Sequence, residues 1–394
     1  MADQKTEENI INDQLPDGWT DTILGNVLKI GRGSSPRPIQ DFITNKPGIP
    51  RVKIADATAS DTRYLKKTKE FIREEGRSTS VSIGDLIVSN SATPGIPKFM
   101  WIDACVHDWW LVFSEYKDLD KLYLYYFFLD YRIRLEHSAF GTVFKNLTTE
   151  IVRNVPIFLP PFKEQQAIAT ALSSFDDKIE LLQEENKTLE KTTQTIFQEW
   201  FGKYEVDNNL PEEWRVGKLG EVIENFDSQR IPITSSKRKK WIYPYYWATW
   251  INDYVQDYIF DGIYTLLWED WSVIKDNGKP FTQYVWWKIW VNNHSHVLQG
   301  KNWFSTELIK IILDRTDIAP YVNGAVQLKI NQSNMNSIPV IIPNQENLDN
   351  FDKVIQPIFW KIRTNIEQIQ SLVKTRDELL PRLMKGEIRV NLSV

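Results

Sequence analysis

The residues of this chain best suited to chemistry are basic and amide side chains set in loops. Gly31-Arg32-Gly33-Ser34-Ser35-Pro36-Arg37-Pro38 is a basic loop whose backbone N–H groups are free to approach a phosphate. A basic run follows, Arg51, Lys53, Arg63, Lys66, Lys67, Lys69, Arg73 and Arg77, interleaved with Asp56, Asp61, Glu70, Glu74 and Glu75. Farther on, Lys237-Arg238-Lys239-Lys240 runs into an aromatic stretch. Such clusters neutralise phosphates, while Asn, Gln, Ser and Arg side chains read base edges. The candidate readers are Asn90, Ser91 and Thr93 in the first half, and Tyr245, Tyr246, Asn252, His294 and Gln299 in the second. The candidate phosphate contacts are Arg32, Arg37, Lys53, Arg63, Lys237, Arg238 and Lys239.

Catalytic patterns fail when checked. Leu159-Pro160-Pro161-Phe162 has the shape of the Asn-Pro-Pro-aromatic motif of amino-methyltransferases, but Leu159 stands where an Asn must hold the amine. No glycine-rich loop follows a strand to hold a methyl donor. His294-Ser295-His296 lacks a third ligand at an informative spacing, so the pair points to a structural or base-contacting histidine rather than to a metal. Asp176-Asp177-Lys178 falls inside a helical pattern and is expected on a solvated helix face. No catalytic residue, metal site or cofactor is assigned to the chain.

The elements that must position these groups come in two copies. Leu15-Pro16-Asp17-Gly18-Trp19 with Leu24-Gly25-Asn26-Val27 recurs as Leu210-Pro211-Glu212-Glu213-Trp214 with Leu219-Gly220-Glu221-Val222, an offset of 210 − 15 = 195. Gly141-Thr142-Val143 and Val155-Pro156-Ile157-Phe158-Leu159-Pro160 recur as Gly324-Ala325-Val326 and Ile338-Pro339-Val340-Ile341-Ile342-Pro343, an offset of 324 − 141 = 183. The ends of the unit match and the middles differ, which implies one frame carrying two distinct variable surfaces. Short apolar runs broken by Gly, Pro, Asn and Ser predict strands and turns in each middle. Helices are expected over Leu119 to Glu136 and near Ser305 to Leu313.

Each unit closes with a heptad seam. Ile168, Leu172, Phe175, Ile179, Leu182, Asn186, Leu189, Thr193, Ile196 and Trp200 alternate by 4 and 3, as do Phe351, Ile355, Ile358, Ile362, Asn365, Ile369, Leu372, Arg376, Leu379 and Leu383. Pro160-Pro161 marks the start of the first helix, Lys385-Gly386 the end of the second, and Pro357 predicts a start or kink within the second. Each seam carries one mid-point asparagine, Asn186 and Asn365; in an antiparallel pair these meet and fix the register of the coiled coil. The expected fold is α+β: two α+β domains in tandem repeat, each followed by a long helix, the two helices packed as an antiparallel coiled coil. The boundaries drawn from sequence are a polar tail 1–14, a first domain 15–160, a helix 161–204, a second domain 205–343, a helix 344–386 and a tail 387–394.

Composition narrows the class. The chain has 394 residues with 42% hydrophobic and 25% charged, which excludes global disorder and a bare coiled coil. The single cysteine, Cys105, fits a reducing compartment. The longest dense apolar run, Leu122 to Leu129, is far short of the roughly 20 residues of a membrane span. The polar start lacks a signal-peptide pattern, so a soluble, cytoplasmic protein is expected, with no membrane partner. A net charge of −5 means that nucleic-acid binding must rest on local basic surfaces.

The two-fold repeat of a variable α+β unit plus a long helix resembles the specificity subunits of type I restriction-modification systems. The most specific pieces are Leu15-Pro-Asp-Gly-Trp19, Pro156-Ile-Phe-Leu-Pro-Pro-Phe-Lys-Glu-Gln-Gln166 with Phe175-Asp-Asp-Lys-Ile179, and Arg376-Asp-Glu-Leu-Leu-Pro-Arg-Leu-Met-Lys-Gly-Glu-Ile388. Ser89-Asn-Ser-Ala-Thr-Pro-Gly95 and Asn292-Asn-His-Ser-His-Val-Leu298 are similar to segments of that family's target recognition domains. The resemblance implies a non-catalytic, cofactor-free subunit in which each domain reads one half of a split, asymmetric sequence in double-stranded DNA. The helices would set the gap between halves and dock methyltransferase subunits, two in number, with restriction subunits joining. The alternative is a coiled-coil scaffold or adaptor whose repeated globules bind protein; steep salt dependence of DNA binding separates the two.

The same resemblance bears on an oddity of composition, 16 Trp against only 17 Gly. At Trp101, Trp109, Trp241, Trp247, Trp250, Trp268, Trp271, Trp287 and Trp303, members of that family carry glycine, whereas Trp19, Trp110 and Trp214 match it. The reading is that these nine are glycine positions, their codon (UGA) being read as glycine in the source lineage; the alternative is a genuine aromatic surface.

Overall fold

The computed structural model describes residues 15–137, 146–204, 210–238, 242–248, 250–271, 273–324 and 327–390. Among them the long helices are α1 (Lys121–His137), α2 (Phe162–Phe201), α3 (Thr306–Arg315) and α4 (Gln345–Met384). The chain divides into two compact units, Met1–Gln183 with Gln368–Val394, and Glu184–Glu367. None of the described helices is long and apolar enough to cross a membrane.

The sequence repeat is a structural repeat, and its register is the same twice. In the first unit the strand Thr20–Ile23 pairs antiparallel with Pro156–Leu159, Thr20 opposite Leu159 and Ile23 opposite Pro156. In the second, Arg215–Lys218 pairs with Pro339–Ile342, Arg215 opposite Ile342 and Lys218 opposite Pro339. The Leu24 N–H bonds to the Val155 carbonyl at 3.0 Å, and its counterpart Leu219 to Ile338 at 2.8 Å. The start and end of each unit are thus zipped together just before its long helix leaves.

The middles differ. The first unit holds two five-stranded sheets, one ordered Ile43–Thr44, Glu70–Ile72, Ile49–Val52, Ala104–Val106, Thr79–Val81 and the other Lys29–Arg32, Trp110–Ser114, Leu86–Ser89, Pro97–Met100, Tyr64–Leu65. The second unit holds a four-stranded sheet (Ile223–Asn225, Ser295–Gly300, Tyr264–Trp268, Thr282–Val285), a three-stranded one (Trp250–Val255, Tyr243–Trp247, Trp290–Val291) and a pair (Asp270–Trp271, Leu328–Lys329). α1 starts where Asp120 accepts the Leu122 and Tyr123 N–H groups, each at 2.9 Å. α3 starts where Ser305 accepts from Leu308 at 3.2 Å. Caps of this kind are worth about 1 kcal/mol.

The heptad seams pack as the spacing predicts, antiparallel within each unit. In the first, Ile168 and Leu172 share a core with Leu380, Leu383 and Met384. Asp176, buried, accepts from Tyr126 Oη at 2.6 Å and pairs with Arg376 at 2.5 Å. That corrects the expectation of a solvated face at Asp176, whereas Asp177, which pairs with Arg63, and Lys178 are exposed as expected. In the second unit Phe201 and Phe351 pack at a tilt in one cluster, ring centroids 4.9 Å apart, and Asn365 Nδ2 donates to Asn186 Oδ1 at 2.8 Å. α4 continues through Pro357 without ending there. Pro357 and Lys353, whose carbonyl loses its donor, both lie on the exposed side of the helix, where water replaces the bond while Ile355 and Phe359 hold the core. Gly386, at φ 72°, then supplies the left-handed residue that stops α4.

Two of the nine suspect tryptophans have backbones that favour glycine. Trp271 has φ 71° and Trp303 φ 69°, and both indoles are largely exposed, 61% and 63%. Asn302 (φ 52°) and Trp303 are the two central residues of a tight turn closed by the Phe304 N–H to the Lys301 carbonyl at 3.1 Å. Two consecutive positive φ values are the type I′ pattern, for which Asn-Gly is the preferred pair. Among the described suspects the other six have ordinary φ; Trp241 lies outside the described residues. Left-handed backbone costs a side-chain-bearing residue about 1–2 kcal/mol. Trp271→Gly and Trp303→Gly are each expected to raise unfolding stability by about 1 kcal/mol in urea titrations; a loss of stability from both would mean that the indoles are wanted where they are.

His107, buried in the first unit, accepts the Trp109 N–H at Nδ1, 3.2 Å away. Burial, and then the Arg51 guanidinium, press its pKa down to about 4, against the opposite pull of Asp108. An unfolded histidine takes up its proton near pH ~6.5. Between there and pH about 4 the unfolded chain binds a proton that the folded chain does not, so stability falls as the pH drops through that window. His107→Gln should flatten this acid limb by on the order of 2 kcal/mol in stability measured from pH 7 down to pH 4; an unchanged limb would exclude His107 as its source.

Candidate nucleic-acid interface

In the first unit the predicted contacts gather at one loop. Arg32 ends a strand beside Trp110–Ser114, and its Nε donates to the Asp108 carbonyl at 2.6 Å. Arg32 and Arg37 each bring a guanidinium within 3.7 Å of the same Asp108 carboxylate oxygen. Gly33 lets the loop lie against this hairpin, because a Cβ there would sit 2.2 Å from the His107 carbonyl oxygen. Asn90 closes the group, donating through Nδ2 to the Asp108 carbonyl at 3.1 Å and through its backbone to Trp109 at 2.9 Å. Ser91 donates to Asn146 Oδ1 at 2.6 Å, and Thr93 sits in the tight turn that follows, its N–H on the Ser91 carbonyl at 2.7 Å.

The electrostatics of this group suit an anion. One carboxylate faces two guanidiniums, and Arg37 keeps 87% of its side chain exposed. Exposed pairs at such a distance are worth about 0–1 kcal/mol, so either arginine can exchange Asp108 for a phosphate at little cost. Lys53 is half exposed and shares Glu70 with Arg51. Arg63 lies elsewhere: its side chain, 6% exposed, is held by Asp177 and Glu180 on α2. Sequence reasoning missed Asp108, the residue that organises the group, because nothing local distinguishes it from any other loop aspartate.

In the second unit Lys237 is exposed in a short turn, while Arg238 is drawn inward over the Tyr245 ring at 4.4 Å, with Asp253 at 3.7 Å. Lys239 lies outside the described residues. Tyr245 and Tyr246, expected as base readers, are buried; their strand lies between two partners, and the Tyr245 hydroxyl accepts the Ile233 N–H at 3.2 Å. Asn252 is exposed on the edge strand of that sheet, and Gln299 Nε2 is engaged by the Ile263 carbonyl at 2.8 Å.

The two histidines have different fates. His296 is buried with Nδ1 on Asp227 at 2.5 Å and Nε2 on the Ile330 carbonyl at 2.9 Å. Asp227, Glu269 and His296 place one ligand atom each within 4.8 Å of one another, a spacing that could hold a metal ion. Protein cations already serve these acids: Arg230 lies 2.7 Å from Glu269 and 3.6 Å from Asp227, and Lys329 lies 3.1 Å from Glu269. Burial raises the pKa of both acids, but His296 and Arg230 outweigh it and hold them below the usual carboxylate range, with Lys329 also acting on Glu269. The cluster thus ties four segments of the unit together by charge. His294, by contrast, is partly open, paired through Nδ1 with Asp270 and stacked on Trp247 at 4.3 Å.

The comparisons with known proteins agree with this architecture. The family model for the type I restriction modification DNA specificity domain matches residues 16–191 and again 211–379. The specificity subunit of the type I restriction enzyme MjaIX of Methanocaldococcus jannaschii is 29% identical over 305 residues, 68% of this chain and 69% of that protein. The HindI specificity subunit of Haemophilus influenzae is 22% identical over 420 residues, 86% of this chain and 87% of that one. The crystal structure of a type I restriction-modification S subunit from M. genitalium superposes with a TM-score of 0.55 at 16% identity, covering 97% of this chain and 98% of that chain, which shows a shared fold. With the same strand register closing each half and the specificity domain matched twice along the sequence, this chain belongs to the type I restriction-modification DNA specificity family.

Proposed function

We propose that this chain is the DNA sequence-specificity subunit of a type I restriction-modification complex, each globular unit reading one half of a bipartite, asymmetric target. The observation that carries this reading is the double frame: two middles of different sheet topology are inserted between strand pairs of identical register. A frame held constant around a changing middle suits a molecule that must vary what it reads without varying how it is built. The Arg32, Arg37, Asp108 and Asn90 group supplies phosphate and base chemistry in the first unit. Lys53, Ser91 and Thr93 flank it, while Lys237, Asn252 and His294 are the open candidates of the second.

The helices act as a spacer. α2 and α4 have 40 residues each, roughly 60 Å at about 1.5 Å per residue. The Asn186 to Asn365 bond fixes their register, at the cost of leaving Asn365 Oδ1 without a partner among the described residues. Methyltransferase subunits, two per complex, dock on helices and domains and supply adenine methylation with S-adenosylmethionine; restriction subunits add cleavage. The chain itself carries no catalytic group in this reading.

Exchanging residues 210–343 for the corresponding segment of another family member should change one half-site of the methylated sequence and leave the other intact. Sequencing of methylated sites checks this, and a change in both halves would defeat the modular reading. Adding a heptad to both helices should lengthen the gap by about 10 Å, roughly three base pairs, without altering either half. An unchanged gap would remove the spacer role.

A further inference from the structure

His294 and His296 are two residues apart, yet their rings are used differently. Both nitrogens of His296 are bonded within the protein. Only Nδ1 of His294 is, lying 2.8 and 2.9 Å from the two carboxylate oxygens of Asp270. Nε2 has no partner among the described residues, and it is not one of the buried polar atoms left without one. The side chain is 18% exposed. Nε2 therefore faces solvent.

The ring has little freedom. Asn292 Oδ1 accepts the His294 N–H at 2.8 Å, and the Glu269 N–H donates to the His294 carbonyl at 3.0 Å. Asp270 is itself buried, held in the short pair with Leu328–Lys329. A carboxylate only accepts, so the hydrogen of the neutral ring sits on Nδ1 and Nε2 is left as a bare acceptor. A buried acid that fixes the tautomer of a partly open histidine is unnecessary for packing alone.

We infer that His294 is a specificity-determining residue of the second unit, its Nε2 accepting a hydrogen bond from the exocyclic amine of an adenine or cytosine in the major groove, and that Asp270 is the positioning residue that makes it an acceptor. This rests on the reading that the second unit meets DNA. In the major groove those amines are donors, whereas guanine O6 and N7 and thymine O4 are acceptors. An acceptor at Nε2 favours the former and repels the latter.

Asp270→Asn inverts the logic. The asparagine amide can donate to Nδ1, which moves the ring hydrogen to Nε2 and turns the reader into a donor. The full chain, assembled with its methyltransferase partner, is tested on a DNA library and methylated sites are sequenced. At one position of the half-site read by the second unit, Asp270→Asn should shift preference from an amine-bearing base toward guanine or thymine by roughly fivefold, the worth of one hydrogen bond. His294→Phe, which keeps a stacking ring without the acceptor, should flatten preference at that position alone. The half-site read by the first unit, unchanged in both variants, reports that the complex is folded and assembled. Unaltered second-half preference in His294→Phe overturns the inference while leaving the specificity-subunit reading intact. Failure of the wild-type complex to select any sequence overturns that reading instead. If Asp270→Asn does not assemble, His294→Phe decides alone.

Discussion

In each half of this chain the first strand must hydrogen-bond to the last before the long helix can leave at a defined angle. Thr20–Ile23 on Pro156–Leu159, and Arg215–Lys218 on Pro339–Ile342, are short ladders, and ladders this short are marginal alone. They persist because the adjoining residues are anchored in the cores: Trp19, Leu24 and Ile157 in one, Leu219, Ile338 and Val340 in the other. Everything between the two strands is a closed excursion whose ends are fixed in space. Its internal topology is then free to change, and it does, from a pair of five-stranded sheets to sheets of four, three and two strands.

Buried charge helps to organise the second excursion. Arg230 and Asp227 from one turn, Glu269, and His296 from a strand meet at a largely buried point, with Lys329 at its edge. Buried ionic groups seldom add net stability, but removing one member leaves the others uncompensated. Such a cluster restricts the alternatives open to the surrounding loops. The strand that leaves it toward His294 inherits a defined orientation, as does the one that carries Asp270.

Much of this was legible in the sequence, for physical reasons. A 195-residue offset and two heptad seams are long-range periodicities, and tertiary context rarely overrides a pattern of that length. The meeting of Asn186 with Asn365 followed from the seams alone, since antiparallel midpoints coincide. The candidate sites were less legible. Arg63 sits in a basic run but spends its charge on α2, and Tyr245 and Tyr246 sit in a polar-aromatic stretch but belong to a central strand. Asp270 lies 24 residues from His294, and Asp108 many residues from Arg32 and Arg37, so each partnership exists only once sheets are formed. Asp176 shows the same limit from the other side, an acid placed on a helix by spacing and in a core by Tyr126 and Arg376. Pro357 does not start the helix, because the proline rule is local whereas the seam on either side of it is not.

The two left-handed tryptophans bear on how the molecule can be handled. A domain's folded state is favoured by only about 5–15 kcal/mol. Two residues held in a conformation that costs about 1–2 kcal/mol each remove a sizeable share of that margin from the second unit. Indoles at 271 and 303 therefore enlarge the transiently unfolded fraction of the chain, the form open to proteases and aggregation, and the cost falls on two exposed positions rather than on the core.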